Sequence, residues 1–543
     1  MKKKLAWILA LALSVSMLGA CGSSSSEDTS ADDTETESSA EESAQEEEEE
    51  TEDAEETAAE ETEDASDDSE STELTEEDTT LRSLSVITAE TFNPLVYGTT
   101  DKPINHALFD CLFKFDNDGN VVGMLAESWE EDGLEVTIHL REDVYFTDGN
   151  PLTADDVIFS YETTLEDPTL MYNMTMFSTG MEKVDDYTVR LYLVNTYCKW
   201  ENFLAELLYI IEEDTYDPDA DYTTTAPVGS GPYTLESVDA ARTVTLTANE
   251  DYWGGAPEFK TVVVSSGLED STALIALQTG EIDLVTQIGL SAYSQAQEDE
   301  NLTCVAFDSW STMGLMIMVG DDAFREAIFH AIDRETIIAI CNDGNGSPST
   351  EYFSEKVMAE YVGVAPFTGY DVDLALECLA ETSVDLSQTF EIQVFESTSA
   401  DVAQCIISDL AAIGITAVVS TVDSNTWFEN LTGGNMQMSI TSMATDMVGL
   451  EDMVIMFDTE SGGYPFSLSD EVLEMIRTAP YIEDDDERYA AMQELMEALN
   501  EACPWVPLYD TTFFTVYNSR VGGVNDCSPA TYVYYFGDMT IEN

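Results

Sequence analysis

The residues able to ligate a metal or act as nucleophiles are few and scattered. Three histidines stand far apart at His106, His139 and His330, and the nine cysteines run from Cys21 to Cys527. No two cysteines form a C-x-x-C pair, so the spacing of a tetrahedral metal site is absent. The chain also carries no G-x-S-x-G, no H-E-x-x-H, no glycine-rich phosphate loop and no Cys/His nucleophile pattern. Carboxylates are the opposite case. With 110 Asp and Glu residues, a pair at some catalytic separation is guaranteed and therefore uninformative. The expectation is a protein without a cofactor that is not an enzyme, a secreted hydrolase being the remote alternative. Several cysteines lie in apolar runs, such as Cys378 between Leu376 and Leu379, and read as buried free thiols. The sequence gives no pairing for a disulfide.

The same carboxylates decide which partners are excluded. Against 18 basic residues they leave a formal net charge of −92, a surface that repels phosphate backbones and anionic lipid headgroups alike. Nucleic acid is thus not a partner, and cationic solutes are concentrated near the protein. A length of 543 residues, with 44% hydrophobic and 10% aromatic content, allows two or more lobes with cores of their own.

At the N-terminus Lys2, Lys3 and Lys4 precede an apolar run from Leu5 to Val15 that is too short to span a bilayer stably. Leu18-Gly19-Ala20-Cys21 follows and resembles the lipobox of bacterial lipoproteins, which implies acylation of Cys21 after removal of residues 1–20. No later segment reaches the length of a membrane helix, so lipid would be the only membrane attachment. Residues 21–80 read as a disordered acidic tether. From 22 to 80 there are 28 acidic residues, no basic one and almost no large apolar side chain. Self-repulsion keeps such a chain extended, with a mean span of roughly 40 Å or more. A spacer fits that position better than a cation-binding tail.

Downstream, the periodicity predicts mixed α/β structure. Leu84 and Val86 read as a strand, and Leu134, Val136, Ile138 and Leu140 alternate with polar residues, with Val144 and Phe146 continuing the pattern. Asp118-Gly119 and Asp148-Gly149 read as turns. Thr153-Ala154-Asp155-Asp156 reads as a capping box opening a helix with Val157, Ile158 and Tyr161. Strands at 390–395, 415–421 and 436–442, interleaved with helices at about 399–412 and near Trp427, predict an α/β lobe. Further amphipathic helices are expected around Phe324–Ile332 and Tyr489–Leu499.

Eight blocks, in order, carry a family resemblance: Phe92-Asn93-Pro94-Leu95, Leu125–Trp129, Leu140–Gly149, Leu152–Val157, Pro227–Tyr233, Asn249–Gly255, Leu277–Asp283 and Ala331–Arg334. The chain resembles the family-5 extracellular solute-binding proteins of ABC importers, which bind oligopeptides, dipeptides or nickel. The resemblance implies an α/β, two-lobed periplasmic-binding-protein-like (type II) fold with an inserted subdomain. It divides the body into lobe I (81–104, 216–317 and 504–543), an insert (105–215) and lobe II (318–503). It implies a lipid-anchored monomer outside the cytoplasmic membrane that captures a peptide or other small solute and delivers it to importer permease subunits. Nickel or a metal chelate, or an oligosaccharide, is the alternative ligand. Most of the blocks are structural, and Gly229 and Gly231 are expected to permit a tight approach to Pro232.

The resemblance also names candidate ligand contacts. Peptide-binding relatives place a carboxylate for the ligand amine in a W-x-x-D segment, matched here by Met443-Ala444-Thr445-Asp446, so Asp446 is the expected anchor. An unpaired ammonium in a closed cleft costs several kcal/mol, roughly, which is why a carboxylate is needed. The aromatic usual at 443 is Met443 here, and the one expected after Val422-Asp423 is replaced by Ser424, with Trp427 three residues on. Both departures suggest an adaptable pocket. Gly98, Thr99 and Thr100 match a loop that lines the ligand backbone, where small residues allow strand-like hydrogen bonding.

Overall fold

The computed structural model describes residue 75 and residues 78–542, apart from 86–87, 97–101, 117–118, 343, 365–368, 395–396, 445–448, 461–462 and 525–533. The signal segment, Cys21, almost all of the acidic tether, Val86, Asp118 and Cys527 therefore lie outside the described residues.

Ten strands form one continuous array. In spatial order they are Thr416–Thr421, Thr389–Val394, Met438–Ala444, Leu302–Ile317, Trp505–Asn518, Leu284–Val285, Thr80–Ser85, Thr261–Ser266, Val244–Ala248 and Tyr233–Val238. Thr80–Ser85 pairs in parallel on both sides, with Thr261–Ser266 and Leu284–Val285, and four of its six residues are buried. Burial on both faces is the usual consequence of parallel pairing. At the other end of the array Thr389–Val394 also pairs in parallel with both neighbours. Helices Ser397–Ala412 and Ser424–Thr432 connect those strands, close to the positions the periodicity predicts.

Two lobes result, because the array packs against two separate sets of apolar side chains. One core gathers Leu315–Met318, Phe324, Ile328, Ile392, Val402, Trp427, Ile440, Leu495 and Trp505–Tyr509. The others collect Leu81, Phe92, Val262 and Tyr517, and Leu84, Leu277, Tyr293 and Val516. An insert has its own core from Leu112 to Ile210, over an antiparallel sheet ordered Ala126–Asp132, Glu135–Leu140, Thr188–Leu193, Ser178–Asp185. Ala107 to Cys111 pack with the first lobe instead.

Local chemistry fixes the insert. Val136, Ile138 and Leu140 are buried on one face of their strand. Val144 and Phe146 are buried as well, but in the loop beyond it, where Gly149 at φ +95° closes the turn back to Asn150. Thr153 caps helix Ala154–Thr164 in a complete capping box with Asp156.

The lobes communicate through the two long strands Leu302–Ile317 and Trp505–Asn518, which pair antiparallel along most of their length. Each contributes one end to each lobe's core: Leu315 to Ile317 and Trp505 to Tyr509 to one, Cys304, Phe514 and Val516 to the other. Between the two cores the register slips, so that Ser309, Trp310 and Ser311 bulge out opposite Thr511. A bulge bends and twists its strand, so the pair changes direction here. Beyond it Gly314 lets the Trp505 indole lie flat on the backbone; a Cβ at 314 would fall 2.2 Å from that ring.

Candidate ligand-binding site

Strand Met438–Ala444 runs antiparallel to the first crossover strand, from Met438 opposite Ile317 to Ala444 opposite Ser311. Its last rung therefore lands on the bulge. Met443 stands opposite Thr312, whose hydroxyl donates to the Asp510 carboxylate on the second crossover strand at 2.6 Å. Ser309 and Thr511 hydroxyls meet at 2.5 Å across the bulge, and Thr511 also donates to the Ser311 carbonyl. Polar side chains thus link the two strands where the backbone register slips.

The chain resumes at Gly449, the cap of helix Leu450–Met453, in a second junction. A Cβ on Gly449 would lie 3.9 Å from Lys199 Cε of the insert. Next to it the Arg488 guanidinium of the second lobe stacks over the Tyr197 ring of the insert at 4.2 Å. Arg488 also pairs with buried Glu451 at 3.6 Å, and Tyr361 donates to the same carboxylate at 2.9 Å. Burial, aided by the Glu451 charge, pushes the Asp452 carboxyl up to about 7. Ala444 and Gly449 thus each lie where the second lobe meets another part of the molecule.

Of the residues the sequence singled out, Asp446, Gly98, Thr99 and Thr100 lie outside the described residues. Their flanks are placed: Phe92 and Leu95 are buried in the first lobe, with the Leu95 N–H bonded to the Asn93 side chain. Met443 is buried in the core of the second lobe. Ser424 is the first residue of helix Ser424–Thr432, which Asp423 caps by accepting from the Thr426 N–H. Trp427, the other candidate contact on this helix, lies in the core of the second lobe. Its ring has no exposed surface, and its indole N–H donates to buried Ser439 at 2.8 Å. An amphipathic helix must bury one stripe, and Trp427 falls on that stripe.

A buried carboxylate that sequence reasoning missed organises three of the eight blocks. Asp110 accepts hydrogen bonds from Ser230 Oγ (2.9 Å), Tyr252 OH (2.9 Å) and Trp253 Nε1 (2.8 Å). Arg141 stacks over Trp253 at 4.5 Å and bonds Asp143 through two nitrogens. Gly229 and Gly231 make a close approach, but to the helix end at Ala107–Leu108: added Cβ atoms would meet those carbonyls at 2.2 and 2.5 Å. Burial pushes Asp110 up to about 6 even though the three donors pull the other way. Asp283, last residue of another block, instead receives both nitrogens of Arg520 at 2.8 Å and the Arg82 N–H. Asp333 caps the helix Arg334–Cys341, and buried Arg334 donates to the Pro507 carbonyl of the second crossover strand.

The histidines are engaged in packing. His106 is buried and pushed down to about 3 by desolvation, His330 contacts the Gly369 carbonyl at 3.0 Å, and His139 contacts Thr188. Among the described residues no cluster of three His, Cys, Asp or Glu is placed to hold a metal ion.

Residues 120–465 match the family described as bacterial extracellular solute-binding proteins, family 5 Middle. The nickel-binding protein NikA of Staphylococcus aureus is 24% identical over 335 residues, 60% of this chain and 66% of that one. Di/tripeptide-binding protein 2 of Pseudomonas aeruginosa is 24% identical over 479 residues, 80% of this chain and 90% of that one. The crystal structure of NikA from Brucella suis in complex with Fe(III)-EDTA superimposes with a TM-score of 0.75 at 23% identity, covering 85% of this chain and all of that one. The two-lobed fold is thus shared.

Proposed function

The chain belongs to the bacterial extracellular solute-binding proteins of family 5, and from that premise we propose that it captures peptides between its lobes and delivers them to an importer permease. The observation that carries the reading is the placement of the two described flanks, Ala444 and Gly449. Ala444 lies opposite Ser311 on the crossover bulge, and Gly449 lies beside Lys199 of the insert. Asp446, which falls between those flanks in the sequence, is the carboxylate this reading assigns to the charged amine of a ligand held by both lobes. Gly98, Thr99 and Thr100 would face the ligand backbone from the other lobe. The bulge at Ser309–Ser311 is the hinge, and closure follows from contacts that the ligand makes with both lobes at once. Attachment through acylated Cys21, with residues 21–80 as spacer, would hold the binding body beside the permease. The bound solute leaves chemically unchanged.

Titration calorimetry tests the anchor. Asp446→Ala should weaken a free-amine tripeptide by about 3 kcal/mol, on the order of a hundredfold. An N-acetylated peptide that binds wild type as well as the free one removes the amine role. A nickel reading is supported by the resemblance to NikA, although all three histidines are engaged in packing contacts. Heat released by nickel with free histidine, and none by peptides, would select it.

A further inference from the structure

Two helices of the second lobe bring a pair of cysteines into contact. Cys341 ends helix Arg334–Cys341 and Cys405 lies within helix Ser397–Ala412, 64 residues later, yet their sulfurs are 3.8 Å apart. The helices run antiparallel and are clamped at the other end, where the Asp333 N–H donates to the Asp409 carboxylate at 3.1 Å. Ile337, Ile338, Val402, Ala403, Ile406 and Leu410 seal the space beneath them. Both cysteines are half-buried, so a small disulfide reagent has a side from which to approach. Cys111, Cys198, Cys378 and Cys503 are buried thiols, and among the described residues no other two cysteines touch.

We propose that Cys341 and Cys405 are a redox pair that closes to a disulfide, bracing the second lobe directly behind the hinge. A bond needs the sulfurs to approach by about 1.8 Å, within the reach of side-chain rotation and a slight helix shift. The oxidant is another disulfide. One cysteine loses its proton and attacks that disulfide, releasing one thiol and leaving a mixed disulfide. The second cysteine attacks the protein sulfur of that mixed disulfide and releases the second thiol. Two protein thiols are thereby oxidised and one external disulfide is reduced, the protons passing to the departing thiolates. The consequence reaches the hinge because the Arg334 side chain, at the start of the same helix, is bonded to Pro507 on the second crossover strand. The proposal relies on the functional reading only for its setting, an oxidising compartment outside the membrane.

The test uses the full-length chain and oxidised glutathione. Non-reducing peptide mass spectrometry should recover a cross-linked species joining the Cys341 and Cys405 peptides. The thiol count in denaturant should fall by two, a loss abolished in both Cys341→Ser and Cys405→Ser. The oxidised wild type should melt roughly 5–10 °C above the reduced form, and each variant should melt alike in both states. Separate alkylation of Cys341 and Cys405 after glutathione treatment, or a cross-link from either to a different cysteine, overturns the pairing. Peptide binding is a separate readout, so failure of the cross-link and failure of the functional reading are distinguishable.

Discussion

The two polar junctions of this molecule are built on opposite plans. Around Asp110 three neutral donors converge on one buried carboxylate, beside Gly229 and Gly231, which pack closely on the helix end at Ala107–Leu108. At the crossover bulge, hydroxyls and the Asp510 carboxylate hold two strands together where the apolar cores on either side end. The first junction is rigid and carries three of the blocks that mark the family. The second carries none of them, and the chain segment bearing Asp446 departs from it. Family resemblance is therefore concentrated where the fold must not move. Met443 and Ser424, which depart from the family pattern, lie apart from that junction, in the second lobe.

If buried carboxylates such as Asp110 and Asp283 hold the family blocks in place, removing one should be costly. The largest effect is expected at Asp283, which is buried and bonded to Arg520 and Arg82. Asp283→Ala leaves the Arg520 guanidinium without its carboxylate partner and should lower unfolding stability by about 3–5 kcal/mol. Chemical denaturation followed by fluorescence measures it. A loss under about 1 kcal/mol would mean that the pair is solvated enough to be dispensable.

Asp110 sharpens the comparison through pH. Its carboxyl is raised from the ordinary aspartate range to about 6 by burial, so the folded protein holds this proton more tightly than the unfolded chain. Stability from this group is greatest below the unfolded value and is lost as pH rises from about 4 through 6. The loss is on the order of 3 kcal/mol. Asp110→Asn cannot ionise, so the stability gap between it and wild type should narrow by that amount across the same window. A gap that stays flat with pH would show Asp110 ionised throughout.

How much of this was readable in the sequence depends on the separation of the partners. The capping box of Thr153 and Asp156, the Gly149 turn and the helix around Phe324 are made by residues within a few positions of one another, and all formed where predicted. Asp110 was not readable, because its partners Ser230, Tyr252 and Trp253 lie 120 to 143 residues away. The same holds for Cys341 and Cys405, whose meeting depends on how two helices dock. Gly229 and Gly231 show the intermediate case. Glycine pairs announce a close approach, but only the fold says that the approaching group is the helix end at Ala107–Leu108.

Trp427 is the smallest and most discriminating test of the other half of the comparison. In sequence it is a candidate ligand contact three residues after Ser424, and in the fold it lies in the packed core beside Ser439. The Ser439 hydroxyl that accepts the indole N–H is itself donated to the Gln393 carbonyl at 2.7 Å, so losing the indole removes one hydrogen bond and leaves Ser439 paired. Trp427→Phe should therefore cost about 1–2 kcal/mol of stability, from one hydrogen bond and some ring volume. Peptide affinity should stay within about twofold of wild type. If affinity instead falls tenfold with little loss of stability, this ring meets the ligand, and the boundary between the rigid region and the adaptable one must be redrawn to include the helix Ser424–Thr432.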